Sequence, residues 1–324
     1  MSLPASLRDR LRLPLIAAPM FLVSGPALVT AACRSGVIGS FPTANCRTVD
    51  ELDVWLAGMA DDARRAADAD GRAPAPWCPN LIVHRSNPRV PDDLAAVLRH
   101  KAEIVITSVG SPEPVMKPLK DAGCLVLADV ASVRHAEKAV AAGVDGLVLL
   151  TAGAGGQTGW ANPFAFVRAV RQFWDGIVVM AGGMADGHAV AAAQTLGCDL
   201  AYMGTKFIAT RESLSKDAYK EMLVASRLDD VLLTRAFTGL ETNMLRPSIA
   251  AAGLDPDNLP VRGGIDISKD INAAERDRPD ARRWKDIWSA GHSVSGVADV
   301  PSVAQLIERT AAEYEAARLS VKRV

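Results

Sequence analysis

Residues 177–187 read IVVMAGGMADG and residues 198–207 read CDLAYMGTKF, and these two stretches decide the fold. Each begins with a short apolar run, which is typical of a buried strand, and continues into a glycine-containing loop that opens a helical pattern. Equivalent points of the two stretches lie about 20 residues apart, which suits one strand–helix unit of a parallel sheet. The two stretches therefore predict consecutive parallel strands with glycine loops at their carboxyl ends.

The same alternation of apolar runs and helical patterns extends over the first two thirds of the chain. The predicted strands are 15–18, 37–41, 80–83, 104–109, 125–129, 146–150, 177–181 and 200–203. The predicted helices are 26–34, 49–69, 91–101, 112–122, 133–142, 163–174, 187–196 and 213–226. Strands that alternate with helices form a parallel sheet with right-handed crossovers. Because eight units follow one another, we expect an α/β fold of the closed (β/α)8 TIM-barrel type rather than an open doubly wound sheet.

The pattern changes in the last third of the chain, where the strand–helix alternation ends. We expect residues 1–226 to form the barrel, and residues 227–324 to form a small helical cap and C-terminal tail packed on it. Within the second part, residues 238–247 suggest an irregular loop, and residues 254–282, rich in Asp, Pro and Arg, suggest a surface coil with short helices. Residues 301–318 predict an amphipathic terminal helix, which offers a surface for a homodimer.

The composition excludes several classes of partner. With 36 basic and 37 acidic residues the formal net charge is -1, so nothing indicates binding to nucleic acid or to an anionic membrane surface. Aromatic residues make up only 5% of the chain, which also disfavours the stacking of bases. The 5 cysteines are odd in number, widely spaced and without a CxxC pair, so we expect buried reduced thiols and no metal site.

One segment near the amino terminus has features of an exported or membrane-inserted sequence. Residues 13–33 carry no charge and follow a group of arginines. Three prolines, Pro14, Pro19 and Pro26, interrupt any continuous helix across the segment. The segment also fits a strand, a loop and a helix, so we expect a cytoplasmic protein that does not span a membrane.

The predicted strand ends gather glycines and small polar residues at one face of the barrel, the face where TIM barrels carry their sites. The last two loops place Gly182, Gly183 and Gly204 before helix N-termini, where free N–H groups and a partial positive charge suit a phosphate. Asp129 is the only carboxylate immediately at a strand end, and no GxSxG motif occurs, so paired-carboxylate and esterase-type chemistry lack a basis. Such a site suits a large, flat, phosphorylated cofactor that supplies the chemistry.

Four motifs stand in the order found in a known flavoenzyme family. They are AAPM at 17–20, AGGQTG at 154–159, AGGMADG at 181–187 and MGTKF at 203–207. Together they make the chain, over about residues 10–245, similar to the FMN-dependent nitronate monooxygenases, formerly called 2-nitropropane dioxygenases. Related proteins are the flavin-dependent enoyl reductases and some NAD(P)H:quinone reductases. The resemblance implies an FMN-dependent oxidoreductase that oxidises alkyl nitronates, which are small-molecule substrates, with oxygen.

The resemblance also implies roles for individual residues. Pro19 and Met20 would lie against the isoalloxazine ring. Asn80 would hydrogen-bond the flavin, as would Ser132 or the backbone next to it. The glycine loops would hold the phosphate from two sides through backbone N–H groups. The full set of expected cofactor contacts is Pro19, Met20, Asn80, Asp129, Ser132, Gly155, Gly156, Ala181, Gly182, Gly183, Met203, Gly204 and Thr205.

Gln157 departs from the family pattern. Many nitronate monooxygenases have a histidine at this position, after the paired glycines of the loop, and it acts as the base. A glutamine amide cannot accept a proton at neutral pH, so abstraction of a proton from a neutral nitroalkane lacks its usual base. His84, which follows the third predicted strand, is the nearest replacement, although it also suits a loop histidine bonded to backbone. Gln157 and His84 are therefore the predicted catalytic residues.

Three activities remain open. Oxidation of an already anionic nitronate needs no base. Alternatively, NAD(P)H would reduce the flavin, which would pass hydride to an enoyl thioester, an enone or a quinone, and the loss of the base histidine favours this chemistry. The third activity is that of a non-redox barrel that binds a phosphorylated ligand, for which Lys206 is the only lysine near a predicted strand end.

Overall fold

The computed structural model describes residues 3–260 and 286–321, and its central feature is a closed barrel of eight parallel strands. In chain order the strands are β1 (Leu15–Ala17), β2 (Ile38–Pro42), β3 (Trp77–Ile82), β4 (Ile104–Ser108), β5 (Leu125–Val130), β6 (Gly146–Leu150), β7 (Gly156–Gln157), β8 (Ile177–Ala181), β9 (Leu200–Met203), β10 (Val231–Thr234) and β11 (Thr242–Leu245). All except β7, β10 and β11 belong to the barrel, and β9 closes onto β1. The predicted TIM barrel is confirmed, and each predicted barrel strand is found within a few residues.

The described residues form 12 α-helices, most of which follow barrel strands and cover the outside of the barrel. They are α1 (Ala5–Arg8), α2 (Pro26–Arg34), α3 (Val49–Asp70), α4 (Val90–Arg99), α5 (Glu113–Asp121), α6 (Val133–Ala141), α7 (Pro163–Val170), α8 (Gly187–Leu196), α9 (Thr205–Ile208), α10 (Asp217–Ala225), α11 (Arg246–Ala251) and α12 (Val303–Val321). Local sequence sets their ends. In α8, for example, the Asp186 side chain accepts a hydrogen bond from Ala189 N, and Gly197 ends the helix in the left-handed conformation.

Side chains of each barrel strand point alternately inward and outward, and both directions are largely apolar. In β9, Leu200 and Tyr202 pack inside the barrel, whereas Ala201 and Met203 pack against the surrounding helices. A strand buried on both faces reads as a continuous apolar run, which is why the barrel strands are visible in the sequence.

The ring of outer helices is completed by the terminal helix and not by the helix that follows β9. Leu306 and Tyr314 of α12 pack into the layer between barrel and helices, together with residues of α8. The Glu313 side chain accepts a hydrogen bond from Gly187 N at 2.9 Å. The apolar side of α12 is therefore used within the chain, which removes the reason for expecting a homodimer through it.

The helix predicted at 213–226, assigned to the barrel, is instead part of the cap. It is the shorter helix α10, whose Tyr219 and Leu223 cluster with Ala290 and Val294 above the barrel. Tyr219 also stacks on Trp288, with ring centroids 4.9 Å apart.

A second, antiparallel sheet was not predicted from the sequence. Its strand order is β10–β11–β7, and β11 lies within residues 238–247, where we expected an irregular loop. The expectation was wrong because β11 is specified by its tertiary pairing, Thr242 with Gln157 and Asn243 with Gly156, and not by a local pattern. The cap is therefore of mixed helix and strand. Most of the coil predicted at 254–282 lies outside the described residues.

Two further findings concern composition and hydropathy. The 5 cysteines of the chain are buried and free, as expected. Across residues 3–260 and 286–321, no helix combines the length and the apolar character needed to cross a bilayer.

Candidate active site

A cavity of about 400 Å³ opens at the carboxyl ends of the barrel strands. This volume lies within the range of pockets that bind cofactors and drug-sized ligands. The strand ends contribute the side chains of its floor, which are Ala18, Asn80, Ser108, Asp129, Leu150, Ala181 and Tyr202. The floor therefore joins an apolar side to a polar side.

The polar side consists of three residues on neighbouring strands β3, β4 and β5. Ser108 Oγ donates a hydrogen bond to Asn80 Oδ1 at 3.2 Å, and Asn80 Nδ2 lies 3.5 Å from the carbonyl oxygen of Ile106. Asp129 follows at the end of the next strand. Both bonds of Asn80 are long, and its side chain lines the cavity at the position where a cofactor contact was expected.

Asp129 and Tyr202 carry buried polar atoms that lack a hydrogen-bond partner within the described chain, Asp129 Oδ1 and Tyr202 Oη. Asp129 as a whole is half-buried, but its Oδ1 atom is buried, and the loss of hydration raises the pKa of the carboxyl group to about 7. Burial also raises the pKa of the Tyr202 hydroxyl well above its usual value. Both groups are therefore available to a ligand in the cavity.

Tyr202 was missed from the sequence, and its neighbour Met203 was expected in its place. Met203 is fully buried, but it points away from the cavity into the layer beneath the outer helices. The four residues of β9 are all apolar or aromatic, so the sequence does not tell which alternate pair faces inward.

The β8 loop presents open backbone to the cavity. Gly182 and Gly183 both have positive φ, +113° and +72°. A side chain on Gly182 would lie 2.5 Å from Thr151 Oγ1, whereas nothing lies within 4 Å of the Cβ position of Gly183. The neighbouring Gly204 precedes α9, and its carbonyl oxygen accepts hydrogen bonds from Phe207 N at 2.8 Å and Ile208 N at 3.2 Å. The N–H groups of Thr205 and Lys206, at the start of the helix, have no carbonyl oxygen of the helix within reach. The expected pair of glycine loops is therefore present side by side at the cavity.

The loop between β1 and α2 supplies Pro19 and Met20, the two residues expected to contact the ring, to the cavity wall. Asn45, which the sequence did not single out, holds this loop. Its Oδ1 accepts from Leu22 N at 2.8 Å, and its Nδ2 donates to the carbonyl oxygens of Met20 at 3.1 Å and Ser24 at 2.8 Å. These bonds keep Leu22 in a left-handed conformation, with φ 59°, that leucine rarely adopts.

The loop after β6 lines the opposite wall with Gly155, Gly156 and Gln157. The cap binds this loop closely, because Asn243 Nδ2 donates to the carbonyl oxygen of Ala154 at 2.7 Å. A side chain on Gly155 would lie 2.7 Å from the backbone nitrogen of Gly291. Gln157 therefore sits at a cavity wall that the cap holds in place.

Three residues considered from the sequence lie away from the cavity lining. His84 Nδ1 hydrogen-bonds Ser86 Oγ at 2.8 Å, so the structure places it in a loop contact and not at the site. Ser132 caps α6 by accepting from His135 N at 3.2 Å. Both follow strand ends, but the loop turns their side chains elsewhere. Lys206 Nζ donates to the carbonyl oxygen of Gly296, a structural bond between α9 and the cap.

The barrel and this cavity define a TIM-barrel enzyme with a cofactor-sized site at the usual face. The sequence profile of the nitronate monooxygenase family matches residues 80–313, and the chain belongs to that family. It is a flavin-dependent oxidoreductase of the nitronate monooxygenase type.

Individual proteins are also similar to this chain. The chain is 29% identical over 303 residues to the nitronate monooxygenase of Paraburkholderia phytofirmans, covering 81% of this chain and 82% of that protein. It is 27% identical over 236 residues to an octahydro-indene-carboxyl-CoA dehydrogenase of Rhodococcus jostii, covering 73% of this chain but only 63% of that protein. The solved structure of FabK from Thermotoga maritima has the same fold, with a TM-score of 0.78 at 24% identity over 98% of this chain and 96% of that one.

Proposed function

We propose that the protein binds FMN in this cavity and oxidises alkyl nitronates with oxygen. The observation that carries the proposal is the division of the cavity into two parts. Open backbone at Gly183 lies beside the start of α9, which suits a phosphate, and an apolar floor with a polar side suits a flat ring with polar edges. The bound flavin would accept the electrons removed from the substrate.

The chain's own residues would then bind the flavin and orient the substrate. Pro19 and Met20 would limit the ring on one side, and Asn80 would hydrogen-bond its polar edge. Gln157, on the opposite wall, would donate its amide N–H to the negatively charged oxygens of a nitronate without taking a proton. The cap segment around Gly291 would exclude water from this wall.

The phosphate part of the proposal can be tested with two variants of the same shape. Gly183→Asp places a negative charge in the open space beside the expected phosphate, and Gly183→Asn places a neutral amide there. Asp and Asn both tolerate positive φ better than other side chains. We expect Gly183→Asp to weaken FMN binding more than riboflavin binding, because only FMN carries the phosphate, and Gly183→Asn to affect both equally. Equal losses for the two ligands in both variants would place the phosphate elsewhere.

The reaction is tested by anaerobic mixing of the FMN-loaded protein with propyl-2-nitronate, NADH or NADPH. Bleaching of the flavin absorbance by the nitronate and not by the nucleotides is the expected result. Failure of the purified protein to bind FMN would contradict the proposal as a whole.

One observation favours a second function, reduction of an enoyl thioester, enone or quinone by NAD(P)H. The cavity wall carries Gln157 at the position where the resemblance implies a base histidine, and a glutamine cannot take a proton from a neutral substrate. The similarity to a carboxyl-CoA dehydrogenase brings thioesters into consideration. Bleaching by a nucleotide and not by the nitronate in the same experiment would establish this function instead.

A further inference from the structure

The cavity contains two buried polar atoms that the described chain leaves unpaired, Asp129 Oδ1 and Tyr202 Oη. An unsatisfied buried polar group costs about 1–3 kcal/mol, and native proteins pair the great majority of such groups. Tyr202 is only 8% exposed, and both side chains line the cavity. Their hydrogen-bonding capacity is therefore free for a molecule that enters the cavity, either solvent or a ligand.

The two side chains reach the same interior space from different parts of the barrel. Asp129 is the penultimate residue of β5, and Tyr202 lies on β9, three strands further round the barrel. They are close enough that a charge on Asp129 raises the pKa of Tyr202, and Cys78 of β3 is the other titratable group near both. Burial favours the neutral form of all three groups, because it removes the water that would stabilise a charge.

No cation of the described chain is paired with Asp129, and desolvation is the cause that raises its pKa to about 7. A neutral carboxyl group can donate one O–H bond and accept others, and a tyrosine hydroxyl can do either. A carboxylate can only accept. The protonated pair therefore offers two donors to a ligand, and the ionised pair offers one.

We propose that Asp129, as the neutral acid, and Tyr202 bind the polar edge of the flavin ring inside the barrel, with Asp129 donating its O–H to a ring acceptor. This inference rests on the proposed function, because it requires the flavin in this cavity. It assigns to Tyr202 a contact that no motif of the sequence indicates, and it gives Asp129 a protonation state as well as a place.

The inference predicts that flavin affinity falls as the pH rises through the pKa of Asp129. If only the acid form binds, the Kd rises about tenfold for each pH unit above the pKa, or about 30-fold between about pH 6 and 8.5. Riboflavin is the better ligand for this measurement, because the phosphate of FMN titrates in the same range.

The test is a riboflavin titration of flavin-free protein across this pH range, followed by quenching of flavin fluorescence. We expect the wild type to show the rise in Kd, and Asp129→Asn, which keeps a donor but cannot ionise, to give a constant Kd. Tyr202→Phe should raise the Kd by a similar factor at every pH and keep the slope. Asp68→Asn, on the exposed surface of α3, is the matched control and should behave as the wild type.

The outcomes separate this inference from the proposed function. Wild-type protein that binds riboflavin with a Kd independent of pH overturns the inference and leaves the flavin site standing. Protein that binds neither FMN nor riboflavin near pH 6 overturns the proposed function. If Asp129→Asn does not fold, the infrared difference spectrum of wild-type protein on flavin binding decides, because the inference requires the band of a protonated carboxyl group.

Discussion

Gln157 stands where the resemblance to the nitronate monooxygenases implies a base histidine, and we propose that it changes which substrates the protein accepts. It lies on the cavity wall, and its strand pairing with Thr242 fixes its backbone. A glutamine in this place can orient a negatively charged substrate but cannot generate one. The protein should therefore act on nitronates and be nearly inactive toward the corresponding neutral nitroalkanes.

Gln157→His should restore activity toward neutral nitroalkanes. A positioned general base typically increases the reaction rate about 100-fold or more. The increase should become larger as the pH rises through the imidazole pKa of about 6.5, because only the neutral imidazole accepts a proton. The measurement is the rate of flavin bleaching by nitroethane relative to ethyl nitronate. Gln157→Asn, which shortens the side chain without adding a base, is the control. Equal gains in both variants would show that space, and not proton transfer, limits the reaction.

Single residues were the hardest part of the site to predict. The glycines at 182, 183 and 204 were placed correctly at the cavity because their spacing and strand context determine where they fall. Tyr202 was missed because inward and outward positions of a doubly buried strand are chemically alike. Ser132 was expected at the cavity because it follows a strand, but its hydroxyl caps the next helix.

At the scale of elements, the loop between β1 and α2 depends on a side chain from the next unit of the barrel. Asn45 makes three hydrogen bonds to this loop, and the loop carries Pro19 and Met20. Asn45 is a positioning residue, because it acts on the cavity through the loop backbone.

Asn45→Asp keeps the acceptor for Leu22 N but removes both donated bonds, and it should weaken FMN binding about tenfold, the effect of losing one to two net hydrogen bonds. The matched control is Asn87→Asp. Asn87 is equally buried and likewise bonds backbone, donating to Ile82 O at the end of β3 and accepting from Arg89 N, but its own side chain lies outside the cavity lining. Both variants should lose stability, and only Asn45→Asp should raise the Kd for FMN. A similar rise in both would make the effect one of general stability.

The elements of the barrel could be predicted from sequence, and those of the cap could not. Each barrel strand is a local apolar run, and each is followed by a helix with its own start and end signals. The two-residue strand β7 has no pattern of its own, and β11 is polar at Thr242 and Asn243. Such strands form because they pair with segments far away in the sequence, and a short stretch of sequence does not reveal this pairing.

At the scale of the whole molecule, the layer of helices around the barrel is completed by α12, which packs against α8. Their backbones approach at Gly187, where a Cβ would lie 2.2 Å from Tyr314 N and 2.3 Å from Thr310 O. Backbone atoms cannot move aside as a side-chain end can, so the two helices would have to separate.

Gly187→Ala should therefore destabilise the protein by about 1–3 kcal/mol, the usual cost of overpacking a close contact. Gly58→Ala is the control, since nothing lies within 4 Å of its Cβ position in α3, and it should stabilise by up to about 1 kcal/mol. Urea unfolding measures both. Loss of stability in the two variants alike would mean that the α8–α12 contact is not the cause.

The docking of α12 also has a consequence for synthesis on the ribosome. The apolar surfaces of Val190 and Ala193 on α8 face the layer that Leu306 and Ile307 complete. Until residues 303–321 leave the exit tunnel, a barrel that already has its eight strands exposes this apolar surface of α8 to solvent or to a chaperone. A nascent chain stalled before that point should be captured by chaperones, whereas one released after it should not.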